Sequence, residues 1–262
     1  MTVRDKLWVF TCVAGADHKW LERGGVTTAS RMTPAEGAFY LGVPNLILVR
    51  SEGQPPAEAF EQYARSFAPL DHVAWSIVGS GGRHDGDELP GVLDLAARFP
   101  NISTAFMDDF FTSDGANLSL DELRSVRERL VAGDRRLDLM VVAYTHMLDQ
   151  RMAPFLELCD AVTLWTWSSD DLPDLAANFA RLEAISPDTR KLLGCYFWDY
   201  PNAKPVPLPL MQQQCTMGLE WMLEGRLDGL VFLGNTVADF GFDSVEWSRQ
   251  WIQEVGQREI QE

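Results

Sequence analysis

The chain has 262 residues, of which 46% are hydrophobic and 23% charged, a balance that argues against a disordered or membrane-embedded protein. Its 22 Lys and Arg against 38 Asp and Glu leave a formal charge of −16, a field that repels phosphate backbones and anionic lipid surfaces. Nucleic acid and membranes are therefore not expected partners, and polyanionic polysaccharides are disfavoured, whereas a small molecule or an oligosaccharide is compatible.

The first apolar run, 7–14, follows Arg4 and Lys6 and precedes Ala14-Gly15-Ala16, a loose imitation of a signal peptide. A strand is the better reading, because cleavage there would delete the first unit of a regular pattern. No apolar run approaches the roughly 20 residues that cross a bilayer, so a cytoplasmic protein is expected. Further runs at 45–50, 73–78, 102–107, 137–144, 161–167, 192–197 and 227–233 are nearly continuous in hydrophobicity, as parallel strands covered on both faces must be. Between them apolar residues recur at helical spacing. Phe60, Tyr63, Ala64 and Phe67 form one stripe, and Leu123, Val126, Leu130 and Val131 another, announced by the capping box Ser119-Leu120-Asp121-Glu122. Leu172, Leu175, Phe179 and Leu182, then Met211, Cys215, Leu219 and Met222, then Trp247, Trp251, Ile252 and Val255 complete the series.

Eight strand–helix units about thirty residues apart, in a chain close to the roughly 250 residues such a fold needs, predict an α/β protein: a single (β/α)8 TIM barrel over 1–262, closed by a helix at 245–255. The cysteines Cys12, Cys159, Cys195 and Cys215 have no C-x-x-C spacing, so neither a disulfide framework nor a zinc knuckle is expected.

Barrel chemistry gathers where strands end and helices begin. Those positions carry Asp17 and His18, Arg50 and Glu52, Asp108 and Asp109, Tyr144 and His146, Trp165 and Trp167, Trp198 and Asp199, and Asn235 with Asp239. The sharpest feature is Phe106-Met107-Asp108-Asp109-Phe110-Phe111, where two carboxylates close an apolar strand; charge in such a setting needs hydrogen bonds, a cation or protonation. By alternation Ser103, Ala105, Met107 and Asp109 share the face with the smaller residues, which should point to the barrel axis. Asp109 is accordingly the first catalytic candidate and Asp108 its neighbour, exchanged if a bulge intervenes. A partner carboxylate is sought in Asp199, whose aromatic surroundings would raise its pKa by desolvation, or in Glu52. Trp165, Trp167, Trp198 and Tyr144 suit stacking on the apolar faces of sugar rings, and Arg50, Asp109, His146, Trp167 and Asp199 are expected to line one pocket.

Other chemistries have weaker support. Lys6, Lys19, Lys191 and Lys204 lie outside strand interiors or at the wrong end for a Schiff base, and His18 has no spaced partner for a metal centre at the first strand. Leu233-Gly234-Asn235-Thr236 lacks a nearby cation to complete a phosphate loop. Gly79-Ser80-Gly81-Gly82-Arg83-His84 lacks the third glycine of a dinucleotide loop and reads as a mobile loop at the mouth. No cofactor is expected.

The acidic end of the fourth strand, the aromatic mouth and the length resemble the broad superfamily of (β/α)8 glycoside hydrolases, several families of which close strand four with a catalytic carboxylate. Only Asp108-Asp109 matches that position. The resemblance implies hydrolysis of a neutral carbohydrate by a pair of carboxylates. Two alternatives stand beside it: a metal-dependent sugar isomerase or lyase using Glu52, Asp109, His146 and Asp199, and a carbohydrate-binding barrel without turnover.

Overall fold

The computed structural model describes residues 1–82, 87–112, 115–133 and 135–260. Eight parallel strands close into one barrel: β1 (Leu7–Thr11), β2 (Asn45–Leu48), β3 (His72–Val78), β4 (Ile102–Met107), β5 (Asp138–Tyr144), β6 (Ala161–Trp165), β7 (Arg190–Tyr196) and β8 (Gly229–Leu233). Neighbours follow chain order, and β1 pairs in parallel with both β2 and β8, so no edge is left open. The strands are buried almost throughout, which is why their sequences do not alternate. They stop one to three residues short of several expected ends: Val49, Arg50, Thr166 and Trp167 already belong to loops.

The outer ring consists of α1 (Pro34–Leu41), α2 (Phe60–Ser66), α3 (Leu89–Arg98), α4 (Leu120–Val131), α5 (Ala153–Leu156), α6 (Leu175–Ile185), α7 (Leu208–Leu223) and α8 (Asp243–Val255), the last packing on α7 and α1. The capping box of α4 forms: the Glu122 N–H donates to the Ser119 hydroxyl while the Glu122 carboxylate accepts from the Ser119 N–H. Thr33 and Glu36 cap α1 reciprocally in the same way. The α4 stripe holds at Leu123 and Leu130, but Val131 is exposed.

Large side chains fill the barrel interior. Phe10 of β1 meets Phe106 of β4 and Trp165 of β6 edge-on, at ring-centre distances of 5.9 and 5.6 Å, although β1 neighbours neither strand; they can meet only across the axis. The indole of Trp165 lies over Gly194 of β7, where any Cβ would come within 2.0 Å of the ring, so only glycine admits this packing. Among the described residues, no helix is long and apolar enough to cross a membrane.

Candidate active site

The C-terminal strand ends surround a cavity of about 380 Å3. Its acidic side is built by β4. Because Phe106 points to the axis, strand alternation carries Asp108 inward too, the opposite of the expected parity. The rule that smaller residues face the axis fails here because Phe10, Phe106 and Trp165 occupy the interior. Asp109 nevertheless reaches the cavity: two residues beyond Met107, it takes a left-handed conformation (φ 46°) that breaks the strand alternation at the mouth. Its Oδ1 accepts from the Tyr144 hydroxyl at 2.5 Å and its Oδ2 from the Gly81 N–H at 2.7 Å, so both oxygens are held. Asp108 is buried, and burial pushes its carboxyl well above the usual carboxylate range. The charges of Asp109 and Asp17 push the same way, while the Asp109 N–H opposes them.

A third carboxylate enters from the loop after β1. Asp17 accepts on Oδ2 from the Tyr200 hydroxyl at 3.1 Å and from the Thr236 hydroxyl. No hydrogen bond to its Oδ1 is found among the described residues. Burial raises its pKa, against those two hydrogen bonds and the charge of Lys19. β1 and β4 are three places apart around an eight-strand ring, yet Asp17 and the Asp108–Asp109 pair line one cavity, near enough for the Asp17 charge to act on Asp108.

Aromatic rings supply the rest of the wall. Trp165 forms the floor, fully buried, its Nε1 donating to the Thr163 hydroxyl. Trp167 is half-buried and stacks on Tyr200 with ring centres 5.3 Å apart and planes within 6°, while Tyr144 and Tyr196 meet it edge-on. Burial raises the pKa of Tyr144, Tyr196 and Tyr200, which keeps their hydroxyls protonated as donors. His146 stacks on Tyr144 at the exposed rim, and Phe10, Cys12, Trp20 and Leu233 complete the surface.

Of the residues expected in the site, Asp108, Asp109, Tyr144, His146, Trp165 and Trp167 line this cavity. Five do not. Arg50 turns outward, pairs with Glu88 and donates from Nε to the Pro55 carbonyl and from Nη2 to the Gly53 carbonyl. Glu52 pairs with Lys19 on the surface, with its side chain 65% exposed. Trp198 is buried against Phe242 and Gly24. Asn235 is fully buried and staples the first and last loops: its Nδ2 donates to the Cys12 and Met32 carbonyls and its Oδ1 accepts from the Cys12 N–H. Asp199 is 1% exposed and accepts from the backbone and side chain of both Ser169 and Asn202. Burial alone would raise its pKa, as its aromatic neighbours suggest, but these donors outweigh burial and lower it.

Of the four ligands of the metal-centre alternative, Asp109 and His146 share the cavity, whereas Glu52 lies on the surface and Asp199 is bonded to Ser169; no group of three His, Cys, Asp or Glu among the described residues could hold a metal ion. Of the mouth loop after β3, Ser80 and Gly81 line the cavity, whereas Arg83 and His84 fall outside the described residues.

The bonding of Asp199 gives a first prediction. Asp199→Asn should destabilise the fold by about 1–3 kcal/mol, because the amide nitrogen replaces an acceptor in a buried network. A carboxylate with a lowered folded pKa contributes stability that is present above its unfolded value, about 3.9, and lost as pH falls through the folded value. The difference between variant and wild-type melting temperatures should therefore shrink below about pH 4.

Asp17 was expected at the mouth but with no assigned role, and Trp20, Tyr196 and Tyr200 are aromatic cavity residues that were not expected there. Asp17 stands six positions beyond Thr11, where strand periodicity no longer says which way a side chain points. Tyr196 was a usable signal, since it ends β7 directly across the register from Leu233.

No family model matches the chain, and no curated protein matches it by sequence. Solved structures do resemble it. A Bacteroides thetaiotaomicron protein assigned as an alpha-L-fucosidase superposes with a TM-score of 0.58 at 10% identity, over 99% of this chain and 98% of its own. The GH99 endo-alpha-mannosidase of the same organism gives 0.57 at 10% identity, over 97% and 98%. Tryptophan synthase from M. tuberculosis gives 0.51 at 12% identity, over 97% and 93%. At such identities the likeness is one of fold: the chain has the (β/α)8 architecture that glycosidases share with other barrel enzymes.

Proposed function

We propose that the chain is a glycoside hydrolase-like enzyme that acts on a neutral carbohydrate. The observation that carries this reading is a cavity lined by carboxylates from the loop after β1 and from the end of β4 together with aromatic faces. Hydrolysis of a glycosidic bond uses one carboxyl group as acid and a second, ionised one as nucleophile or base. Asp109 takes the second role, because the Tyr144 hydroxyl and the Gly81 N–H both donate to it, as an anion requires. Asp17 takes the first: burial favours its protonated form, and Oδ2 carries both incoming hydrogen bonds, which leaves Oδ1 for the proton. Asp108, its pKa also raised, donates to a sugar hydroxyl. Trp167 on Tyr200 offers the stacked aromatic surface a pyranose needs.

The names of the two similar glycosidase structures set the first substrates to try. Purified protein incubated with aryl fucosides, mannosides and other neutral aryl glycosides should release the phenol from at least one, at a rate indifferent to a chelator. A sugar bound but never cleaved would identify a non-catalytic barrel. Activity abolished by a chelator and restored by a divalent ion would identify the isomerase or lyase class.

A further inference from the structure

The two aromatics that follow the acidic pair, Phe110 and Phe111, line no part of the sugar cavity's wall as described above. Phe111 lines a second cavity. Its volume is about 640 Å3, against about 380 Å3 for the first, and the two share His146 and Met147 as a common wall. The deeper part of the second cavity is apolar, lined by buried Phe111, Leu148 and Met152 and half-buried Phe155, while its exposed rim carries Thr112, His146, Asp149 and Arg151. Phe110, Phe111 and Phe155 pack as a three-ring cluster with centres 4.9 to 6.1 Å apart, and Phe155 is only half-buried, so its ring is the accessible part of an otherwise sealed cluster. The short two-stranded ribbon Phe111–Thr112 with Gly115–Ala116 holds Phe111 in place from one side, and α5 presents Phe155 from the other. The cation on this rim, Arg151, is engaged by Asp149.

We infer that this second cavity is the leaving-group half of the same substrate site, and that the substrate is a glycoside of a bulky apolar aglycone, aromatic or polycyclic, rather than one link of a polysaccharide. The inference rests on the proposed hydrolysis and adds the chemical class of the second half. Three features carry it. The cavities meet at His146 and Met147, beside Tyr144 and hence beside Asp109, so a molecule bound across both places its junction near the carboxylates. A second sugar would need hydrogen-bonding groups all round to replace the water its hydroxyls lose; Thr112, His146, Asp149 and Arg151 offer them only at the exposed rim, and the phenylalanine, leucine and methionine side chains of the deeper part offer none. An aromatic or alicyclic group gains from burial against those same side chains, and methionine adapts to irregular shapes.

The test compares phenyl and 2-naphthyl glycosides of one sugar, whose leaving groups have similar acidity but different apolar bulk. Wild-type kcat/KM should favour the naphthyl compound by about ten-fold or more, the order expected for burying the extra ring carbons. Phe155→Gln should lower kcat/KM for the naphthyl glycoside about ten-fold more than for the phenyl glycoside and so erase that preference, and Phe155→Leu, a milder change that keeps the helix's apolar contacts, should reduce it partly. Equal kcat/KM for the two compounds in the wild type, or a preference that survives in folded Phe155→Gln, overturns the inference and leaves the hydrolase reading untouched. If neither glycoside is cleaved, the hydrolase reading fails and calorimetric binding decides this one. Tighter, Phe155-dependent binding of the naphthyl glycoside sustains the apolar site, and equal affinities overturn it.

Discussion

Asp109→Asn is expected to lower glycoside turnover by about 10²–10⁴-fold while the protein remains folded. The amide is nearly the same size as the carboxylate, and asparagine is among the few residues that tolerate the left-handed conformation found at φ 46°. Its single oxygen can still accept from the Gly81 N–H or the Tyr144 hydroxyl, though not from both with the original geometry. What it loses is the chemistry: an amide does not attack an anomeric carbon, and it neither takes nor returns a proton at working pH. A melting temperature within a few degrees of wild type, with a rate loss of at least 10²-fold on the best aryl glycoside, is the expected pair of results. A loss of only a few-fold with the fold intact would remove Asp109 from the catalytic role. If Asp108→Asn then gave the large loss, the inward-pointing member of the pair would replace it.

The barrel was legible in the sequence because of a physical constraint: a parallel strand covered by helices on one side and a packed core on the other must be apolar along its length, as Leu139 to Ala143 of β5 are. Helix α1 was not expected: it carries a capping box of the same form as that of α4, Thr33-Pro34-Ala35-Glu36, but its apolar stripe is too short to mark a helix by periodicity. The site was legible where strand alternation persists to the strand end or just past it. Tyr144 and Trp165 end their strands and point into the cavity, and Trp167 keeps the alternation two residues on. Arg50 and Asn235, likewise two residues beyond their strands, have instead turned away to bond with loop backbone. Asp109 shows the same limit from the other side, since a left-handed residue brings it to the mouth by a turn that no periodicity encodes.

Asp17→Asn should separate acid catalysis from the rest of the mechanism. If the Asp17 carboxyl protonates the departing oxygen, its loss costs about 10²–10⁴-fold on alkyl glycosides, whose leaving groups are poor, and far less on nitrophenyl glycosides, which depart without a proton. The limb of the wild-type pH–rate profile on which activity falls as pH rises should disappear in the variant. Stability should move the opposite way to activity. Burial raises the folded pKa of Asp17 above that of an unfolded aspartate, so the contribution of its protonated form is fully present below about pH 3.9 and is lost as pH rises through the raised value. At pH 7–8 the buried carboxyl is therefore a liability that asparagine removes, while the amide oxygen can still accept from Tyr200 and Thr236. The variant should gain about 0.5–2 kcal/mol there, or about 2–4 °C in melting temperature per kcal/mol, and the gain should fade toward pH 4. Asp108→Asn should show a stability gain of the same sign, because burial and the Asp109 charge raise that group as well, but no dependence on the leaving group. Equal rate losses on alkyl and nitrophenyl substrates for Asp17→Asn would make Asp17 a positioning residue and reopen the search for the acid among the carboxyls of the same cavity.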